Sequence, residues 1–399
     1  MHWPRESPLV FLGSMQSRWS IVAIEYQAAK MEEVFAMNLD CSSLSSDSVL
    51  PFSGGYIGVL SYDDFCPGID STCESFCYRI FKALLHDRVS GANYVVSNGL
   101  PSNHAYRVDI DEVLNSATGK VSENLEIELS GVESDDDYLG NVKRILGDIE
   151  EGRFYQLNLL RYFKLKRRLS RAEVLLKIWN HGGPYSSWVQ SEGYSVGSFS
   201  PEQFISFRPD GHQLIAETFP IKGTIRSSAN FGEDALLQEE LLNSTKDRAE
   251  LSMIVDLMKN DMNRISYQGS VKVNKSCEIK SFEYVHHLQG HVSAILNSEL
   301  SMKDIFDATL PAGSITGAPK LEVMKGINEY ESQPRGYFMG NSFYLDPYQK
   351  TFDSSVLIRT IVSSSEGESK YAAGSGIVIK SEPRSEMNEI WTKCKVLNQ

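Results

Sequence analysis

Apolar residues recur at the spacing of an amphipathic helix in three parts of the chain. The first covers residues 134–152, where Ser134 and an acidic first turn are typical of a helix N-terminus. Its apolar positions are Tyr138, Val142, Ile145 and Ile149. The second covers residues 233–264 and the third covers residues 385–397. We predict a helix in each segment.

Strand patterns fill much of the remaining sequence. The chain is β-rich up to about residue 125, and helices and strands alternate from residue 302 onwards. Residues 154–160 are predicted to form a strand on which Gln156 and Asn158 share one face, because side chains alternate with period two. No internal repeat is visible.

Composition narrows the class of protein. The 399 residues, of which 41% are hydrophobic, suffice for one large domain or two smaller ones with a full core. The net charge of −13 is spread over short segments, so no nucleic-acid partner is expected. No apolar run approaches the roughly 20 residues of a membrane span. The six scattered cysteines are predicted to be free thiols without a zinc site, and a cytoplasmic location is expected.

One lysine has a surrounding sequence that suggests chemistry. Residues 220–224, PIKGT, place Lys222 directly before Gly223, which predicts a tight turn that can hold an amine against a bound substrate. By itself, a lysine before glycine is more often a solvated loop charge. The other segments of the chain decide between these readings.

Two pairs of acidic residues are spaced for one face of a helix. Asp247 and Glu250 lie three positions apart, as do Glu386 and Glu389, and Lys393 follows one turn later. On spacing alone these are solvated surface acids, and a Glu389–Lys393 pair contributes a few tenths of a kcal/mol.

Four further segments carry a family resemblance: KDRAE at 246–250, PAGSITGAPK at 311–320, LIRT at 357–360 and AGSGIV at 373–378. In this order they resemble the chorismate-utilising enzymes, most closely the component I family of aminodeoxychorismate synthases, with component I of anthranilate synthase as the near alternative. The resemblance implies an α+β fold, a chorismate-binding α/β sandwich of two packed β-sheets surrounded by helices. A β-rich N-terminal portion would span residues 1–125 and the catalytic core residues 130–399.

The resemblance also implies a magnesium site. Glu250 and Glu389 match the family's metal ligands, and Asp247 and Glu386 would orient the bound waters. Oxygen-only ligands suit Mg²⁺, which keeps several waters and bridges to an anionic substrate. Chorismate offers a ring carboxylate for that purpose.

A second carboxylate of chorismate needs its own partners. Arg359 matches the family's carboxylate-binding arginine, whose planar fork binds two oxygens at once. Tyr344 and the amides around Gly374 and Gly376 are implied in the same pocket. Further substrate contacts are expected from Lys320 and Lys393.

The implied reaction replaces the ring hydroxyl at position 4 with nitrogen. Glu202 matches the family's general acid/base, while His287 lies beside the reacting ring and Thr316 binds its hydroxyl. Lys222 matches the lysine that adds at position 2 before ammonia displaces it. Anthranilate synthases have alanine here, and water-using relatives have a lysine at the position of Gln156, so both of those chemistries are disfavoured.

The resemblance implies partners and leaves alternatives. The expected partners are chorismate, ammonia and a separate glutamine amidotransferase subunit, with no membrane involved, and the product would serve 4-aminobenzoate and folate synthesis. Phe343 and Phe352 depart from the family pattern. They keep open a non-catalytic chorismate-binding paralogue, besides anthranilate synthase component I. Tryptophan feedback is not expected.

Overall fold

The computed structural model describes residues 10–13, 16–39, 50–69, 71, 73–97, 106–107, 126–228, 230–282 and 285–398. Its helices are α1 (Met31–Phe35), α2 (Asp135–Glu150), α3 (Arg171–His181), α4 (Phe231–Asn243), α5 (Thr245–Ile265), α6 (Met302–Thr309), α7 (Lys320–Tyr330) and α8 (Pro383–Cys394). Its strands are β1 (Val10–Leu12), β2 (Trp19–Ala29), β3 (Gly55–Leu60), β4 (Phe76–Asp87), β5 (Ala92–Ser97), β6 (Tyr106–Arg107), β7 (Leu129–Gly131), β8 (Gln156–Leu165), β9 (Ser187–Gln190), β10 (Tyr194–Ser198), β11 (Gln203–Asp210), β12 (Gln213–Thr218), β13 (Ile221–Arg226), β14 (Lys272–Ser281), β15 (Val285–Ile295), β16 (Gly317–Ala318), β17 (Asn341–Asp346), β18 (Thr351–Val356), β19 (Thr360–Ser364) and β20 (Ser369–Val378).

The strands extend as two runs from one long antiparallel pair, β2 with β4. The first run continues from β2 through β1, β9, β10, β19 and β20 to β8. The second continues from β4 through β3, β17, β18, β11 and β12 to β15, which also pairs with β13 and β14. The predicted α+β fold with surrounding helices is confirmed, and the two runs belong to one continuous antiparallel sheet joined at the β2–β4 pair.

The predicted helices are confirmed, with shifted ends. Ser134 caps α2, because its hydroxyl accepts a hydrogen bond from the amide of Asp137 and the Asp137 carboxylate accepts one in return. The helical zone predicted at residues 233–264 is two helices, since Ser244 ends α4 and caps α5. The last helix starts earlier than predicted, with Pro383 in the first turn, where proline needs no amide partner.

Phe343 and Phe352, which depart from the family pattern, belong to an aromatic cluster in the core. Phe352 stacks on Phe207 with ring centroids 5.1 Å apart, and Phe306 lies 6.2 Å from Phe343. Both departures are buried. They therefore fill the hydrophobic core between α6 and the face of the neighbouring strands β11, β18 and β17.

Strand pairing joins the two predicted portions of the chain. β1 pairs with β9 and β3 pairs with β17, so strands from the N-terminal portion hydrogen-bond to strands of the core. The division at residue 125 stays a prediction, because residues 108–125 lie outside the described ranges. Five cysteines are free thiols, and Cys41 falls among residues that are not described. None of the described helices is both long and apolar enough to span a bilayer.

Candidate active site

Lys222 lies in a strand, which corrects the predicted turn. It is on β13, and the pairing with β15 shifts register between Lys222 and Thr224. Gly223 sits at this bulge with φ of +69°, a conformation that side chains rarely adopt. The glycine therefore serves a β-bulge instead of a turn, and such bulges re-aim neighbouring side chains.

The lysine side chain reaches the glycine-rich strand β20, which belongs to the other run of strands. Its Nζ lies 3.8 Å from the position that a Cβ would occupy on Gly376 of β20. A Cβ on Gly374 would meet Asn158 Oδ1 at 2.4 Å, and one on Gly376 would meet Gln156 Nε2 at 2.9 Å. Both glycines are thus required by the close approach of two amide side chains on β8.

These two amide side chains are buried and incompletely bonded. Gln156 is 1% exposed and Asn158 is 6% exposed. Within the described residues, both polar atoms of the Gln156 amide and the Oδ1 of Asn158 have no hydrogen-bond partner. Buried polar groups almost always have partners, so these three atoms are candidate binding groups for a polar ligand.

Glu202 is the buried acid of the site. Ser200 fixes its backbone, because the Ser200 hydroxyl accepts a hydrogen bond from the Glu202 amide at 3.2 Å. Ser314 Oγ donates to Glu202 Oε1 at 2.7 Å. Burial raises the pKa of Glu202, and the Ser314 hydrogen bond and Lys222, in that order, oppose the rise. Glu202 and Lys222 therefore share one electrostatic environment.

Arg359 supplies a positive charge with no fixed partner. Its φ of 51° is in the left-handed region, which is unusual for a residue with a side chain. Its guanidinium forms no salt bridge or hydrogen bond with any residue the structure describes. Burial lowers the pKa of Arg359, while Tyr371 and Glu202 oppose that change. A strained, partly buried, unpaired cation is a strong candidate for binding an anion.

Lys393 ties α8 to the glycine strand. Its Nζ donates to the carbonyl of Gly374 at 2.6 Å and pairs with Glu389 at 2.7 Å. The ion pair predicted from the spacing of these residues is confirmed. Glu389 is exposed in this pair and Lys393 is half-buried, and the charge of Lys393 also acts on Glu202.

Glu250 and Glu389 approach each other from α5 and α8. Burial raises the pKa of Glu250, Lys222 and Lys246 oppose the rise, and Glu389 adds to it. Burial also disfavours ionised Glu389, but Lys393, then Lys222 and Lys246, outweigh it and hold the pKa of Glu389 below its usual value. The two carboxylates, both under the influence of Lys222, form an oxygen-rich side of the site.

Asp247 and Glu386 lie one turn before these carboxylates. Asp247 is bound by the hydroxyl of Ser244, the N-cap of α5, and lies against Gly223. Glu386 is 3% exposed in α8. No group of three or more His, Cys, Asp or Glu side chains suited to a metal ion occurs among the described residues. The oxygen-only pair of Glu250 and Glu389 still fits Mg²⁺, which uses one or two carboxylates and completes its shell with water and substrate.

His287 flanks the Lys222 bulge as a neutral ring. Its Nδ1 is 2.8 Å from Thr224 Oγ1 and 3.4 Å from the carbonyl of Gly223. Burial first, and then the charge of Arg359, lower the pKa of His287 to about 4. At neutral pH this side chain therefore offers hydrogen bonds without adding charge.

Replacing His287 with asparagine is expected to flatten the pH dependence of stability between pH 6.5 and 4. The unfolded chain takes up a proton near the usual pKa of 6.5, whereas the folded histidine resists it until about pH 4. Stability is thus fully present above this window and declines, by up to about 3 kcal/mol, as the pH falls through it. Urea unfolding of both proteins across the window measures this. An equal decline in the two proteins would contradict the expectation.

Thr316 and Lys320 are already engaged within the protein. Thr316 Oγ1 donates to the carbonyl of Ala312 at 2.9 Å, so only its lone pairs are available to a substrate. Lys320 Nζ donates to Asp261 at 2.7 Å and to the carbonyl of Thr309 at 3.0 Å. Burial lowers the pKa of Lys320, and Asp261 opposes this. The structure gives Lys320 a buried ion pair instead of a place beside Lys222.

Replacing Lys320 with methionine is expected to destabilise the protein by about 3–5 kcal/mol, because it leaves the Asp261 carboxylate buried without its partner. Asp261 is 2% exposed. The double replacement Lys320→Met with Asp261→Asn should recover most of this stability. Denaturant unfolding of the single and double variants measures both effects. A stable single variant with a raised KM would instead support the predicted substrate contact.

Tyr344 lies in a separate cavity. This cavity has a volume of about 870 Å³, and Tyr185, Arg208 and Asp353 also line it. The Tyr344 ring contacts Phe52 at 5.6 Å. The lining residues of the cavity do not include Lys222, Glu202 or Arg359, so the structure does not bring Tyr344 together with the other predicted carboxylate-binding residues.

Sequence reasoning missed three contributors to the site. Ser314 was quoted only as part of a motif, although it bonds to Glu202 across 112 residues of sequence. Asn158 was assigned to a strand face without a role. Met339, whose φ is 62°, packs its Cε 3.2 Å from the Cβ position of Gly374. Only the period-two alternation of β8 could have indicated one of them, since it places Asn158 on the same face as Gln156.

Comparison with known proteins identifies the class. The chain belongs to the chorismate binding enzyme family, which matches residues 24–399. Component 1 of the aminodeoxychorismate synthase of Klebsiella aerogenes is 38% identical over 268 residues, covering 67% of this chain and 58% of that protein. The chain thus spans little more than half the length of this relative.

The sister branch is also similar. Anthranilate synthase component 1 of Bacillus subtilis is 28% identical over 441 residues, covering 99% of this chain and 84% of that protein. The crystal structure of anthranilate synthase component I from Streptococcus pneumoniae has a TM-score of 0.79 with 25% identity, covering 97% of this chain and 93% of that one. The fold and family are therefore shared by both branches, and the reaction must be argued from the site.

Proposed function

We propose that this chain converts chorismate and ammonia into 4-amino-4-deoxychorismate through a covalent intermediate on Lys222. One observation carries the proposal: the Lys222 Nζ is 3.8 Å from the Cβ position of Gly376 and acts electrostatically on Glu202, Glu250 and Glu389. A primary amine thus lies near the glycine strand, and its charge acts on a buried acid and on two further carboxylates. This supports its assignment as the nucleophile.

Substrate binding is the first task of the site. Chorismate is a dianion, and the unpaired guanidinium of Arg359 can hold one carboxylate in a bidentate manner. The amides around Gly374 and Gly376 are assigned to the same carboxylate, because a glycine backbone allows close approach. The orphaned amides of Gln156 and Asn158 supply additional hydrogen bonds to polar groups of the ligand.

The proposed chemistry then uses Lys222 and Glu202. The neutral amine of Lys222 attacks ring position 2 as the C4–O bond breaks, and a proton from Glu202 lets the hydroxyl leave as water. Ammonia next attacks position 4 while the bond to Lys222 breaks, which releases the lysine as an amine, and the new ammonium group returns its extra proton to the Glu202 carboxylate. Burial, which raises the pKa of Glu202, favours its acid form for the first step.

Magnesium is part of this proposal. Glu250 and Glu389 would hold the ion, with Asp247 and Glu386 orienting its waters. When bound, it supplies positive charge that neutralises the ring carboxylate and orients the substrate. The effect of Glu389 on the pKa of Glu250, and the action of Lys222 and Lys246 on both glutamates, support their belonging to one site.

Replacing Glu389 with glutamine is expected to raise the Mg²⁺ concentration needed for half-maximal activity by at least about 10-fold, because one anionic ligand is lost. A titration of activity with Mg²⁺ measures this. Glu322→Gln is the matched control, since Glu322 forms a similar helix-surface pair with Lys325 at 2.7 Å. An unchanged requirement in Glu389→Gln would contradict the assigned role.

The proposal extends to partners and location. A separate glutamine amidotransferase subunit would deliver the ammonia, and the product would lead to 4-aminobenzoate and folate. The cytoplasmic location expected from the sequence stays a prediction. Free ammonium replaces the partner in the assay, so the test of the reaction does not depend on that subunit.

Product analysis tests the reaction. The protein, incubated with chorismate, Mg²⁺ and ammonium, should consume chorismate and form 4-amino-4-deoxychorismate, identified by mass spectrometry and chromatography. The second candidate is anthranilate synthesis, favoured by the likeness to Bacillus subtilis component 1 along 99% of this chain. Lys222 argues against it. Formation of anthranilate would reject the first proposal, and binding of chorismate without turnover would support a non-catalytic paralogue.

A further inference from the structure

A buried ion pair lies behind the site. Arg335 and Glu331 lie four positions apart just after the end of α7, and their side chains are 1% and 2% exposed. The guanidinium binds Glu331 with its Nε and with a terminal nitrogen, the latter at 2.6 Å. Tyr162 donates its hydroxyl to the same carboxylate at 2.8 Å, and the Tyr62 ring lies 4.6 Å from the guanidinium carbon.

The ion pair also hydrogen-bonds to the backbone of two segments. One terminal nitrogen of Arg335 donates to the carbonyl of Asn158 at 2.7 Å, and the other donates to the carbonyl of Ile315 at 2.9 Å. Glu331 accepts from the amide of Leu160 at 2.9 Å. The pair therefore continues the edge of β8 beyond its short pairing with β16 and fastens the segment 313–316 to that edge.

Both fastened segments lead directly into the site. Asn158 carries the orphaned Oδ1 beside Gly374, and its amide donates to the carbonyl of Thr316 at 2.7 Å. Ile315 follows Ser314, whose hydroxyl donates to Glu202. One guanidinium is thus bonded to the backbone of Asn158 itself and to that of Ile315, the residue after Ser314.

Stability alone is a poor reason to keep such a pair. Burying two charges costs desolvation energy that their attraction often only balances, and an apolar replacement is frequently as stable. A fully bonded buried network does, however, fix one arrangement of the groups around it. The hydrogen bonds that Arg335 makes outside the ion pair go to the carbonyl of Asn158 and to that of Ile315, which follows Ser314.

We propose that the Arg335–Glu331 ion pair is a positioning element that sets Asn158 and the Ser314–Glu202 hydrogen bond relative to each other for catalysis. Arg335 is a positioning residue, since it reaches the site only through backbone carbonyls. The catalytic part of this inference rests on the proposed function, because it concerns the alignment of the acid Glu202.

The test is the replacement Arg335→Lys, which keeps the charge but cannot bind Glu331 and two carbonyls together. We expect kcat for chorismate amination and kcat/KM to fall together by about 10²-fold, as they do when positioning in the transition state is lost. The basic limb of the pH profile should move to higher pH, since a loosened Ser314 no longer stabilises ionised Glu202. Hydrogen exchange of the amides in 313–318 should accelerate.

Two further variants separate positioning from folding. Tyr162→Phe removes one hydrogen bond to Glu331 and leaves both carbonyl contacts, so it should lower thermal stability without moving the pH limb. Glu331→Gln with Arg335→Met leaves no uncompensated charge and replaces Arg335→Lys if that variant fails to fold. In a double-mutant cycle with Ser314→Ala, the shift of the pH limb should not add, because both changes act on one hydrogen bond.

The outcomes are separable. If the wild-type protein does not aminate chorismate, the proposed function fails, and hydrogen exchange in 313–318 still decides whether the pair fastens this segment. Wild-type exchange rates in the Arg335 variants would overturn the inference. So would a pH limb that stays in place, or one that moves equally in Tyr162→Phe.

Discussion

The Lys222→Ala variant is expected to lose formation of 4-amino-4-deoxychorismate by on the order of 10³-fold or more, because the nucleophile of the proposed covalent step is removed. Any remaining turnover should shift towards anthranilate, since ammonia can then attack position 2 directly. The product is measured by mass spectrometry after incubation with chorismate, Mg²⁺ and ammonium. The charge of Lys222 acts on Glu202 and Glu250, so its loss also alters the electrostatics of the site.

A matched control accounts for that loss of charge. Lys246→Ala removes another lysine near Glu250, 3.8 Å from its carboxylate, while leaving the proposed nucleophile in place. This variant should retain most of the activity. Intact-protein mass spectrometry of the quenched wild-type reaction should show an adduct equal to chorismate minus one water, which Lys222→Ala lacks. Full activity of Lys222→Ala would rule out covalent catalysis by this residue.

The Glu202→Gln variant is expected to lower kcat by about 10²- to 10⁴-fold, since glutamine keeps the shape of the side chain but cannot protonate the leaving hydroxyl. The Ser314 hydrogen bond to the side-chain oxygen can persist in this variant. Binding of chorismate, measured by isothermal calorimetry, should change far less than kcat. A proportionate loss of binding would assign Glu202 to the substrate pocket instead of to the chemistry.

The pH dependence of the wild-type enzyme tests the same assignment. Burial raises the pKa of Glu202, and the acid form is the working form, so activity should be retained at low pH and fall as the pH rises through this raised pKa. Glu202→Gln should lack this basic limb. His287 contributes no limb near neutral pH, because burial lowers its pKa to about 4. An unchanged basic limb in Glu202→Gln would assign it to another group.

Local features of the sequence predicted the secondary structure well. Ser134 and the apolar period of the following residues defined α2 because a cap and a periodic stripe are properties of adjacent residues. The turn predicted at Lys222 was wrong, since Gly223 permits a positive φ equally in a turn and in a bulge. Only the pairing of β13 with β15 decides between them.

The site itself was predicted in part, and the gaps have a physical cause. The motifs predicted Lys222, Glu202 and Arg359. In the structure the charges of Lys222 and Arg359 both act on Glu202. The commitment of Lys320 to Asp261 depends on a partner 59 residues away. Such contacts are fixed by packing, so no local pattern encodes them.

Both runs of strands start from the β2–β4 pair, and this arrangement has a consequence for how the enzyme acquires activity during synthesis. Lys222 and Gly376 belong to different branches, so the amine and the glycine strand become neighbours only after distant strands have registered. Strand pairings between residues far apart in sequence form slowly, because the entropy of loop closure is lost before the new contacts stabilise the chain. A ribosome-bound chain that stops before β20 therefore carries every upstream motif and still has no pocket for its substrate.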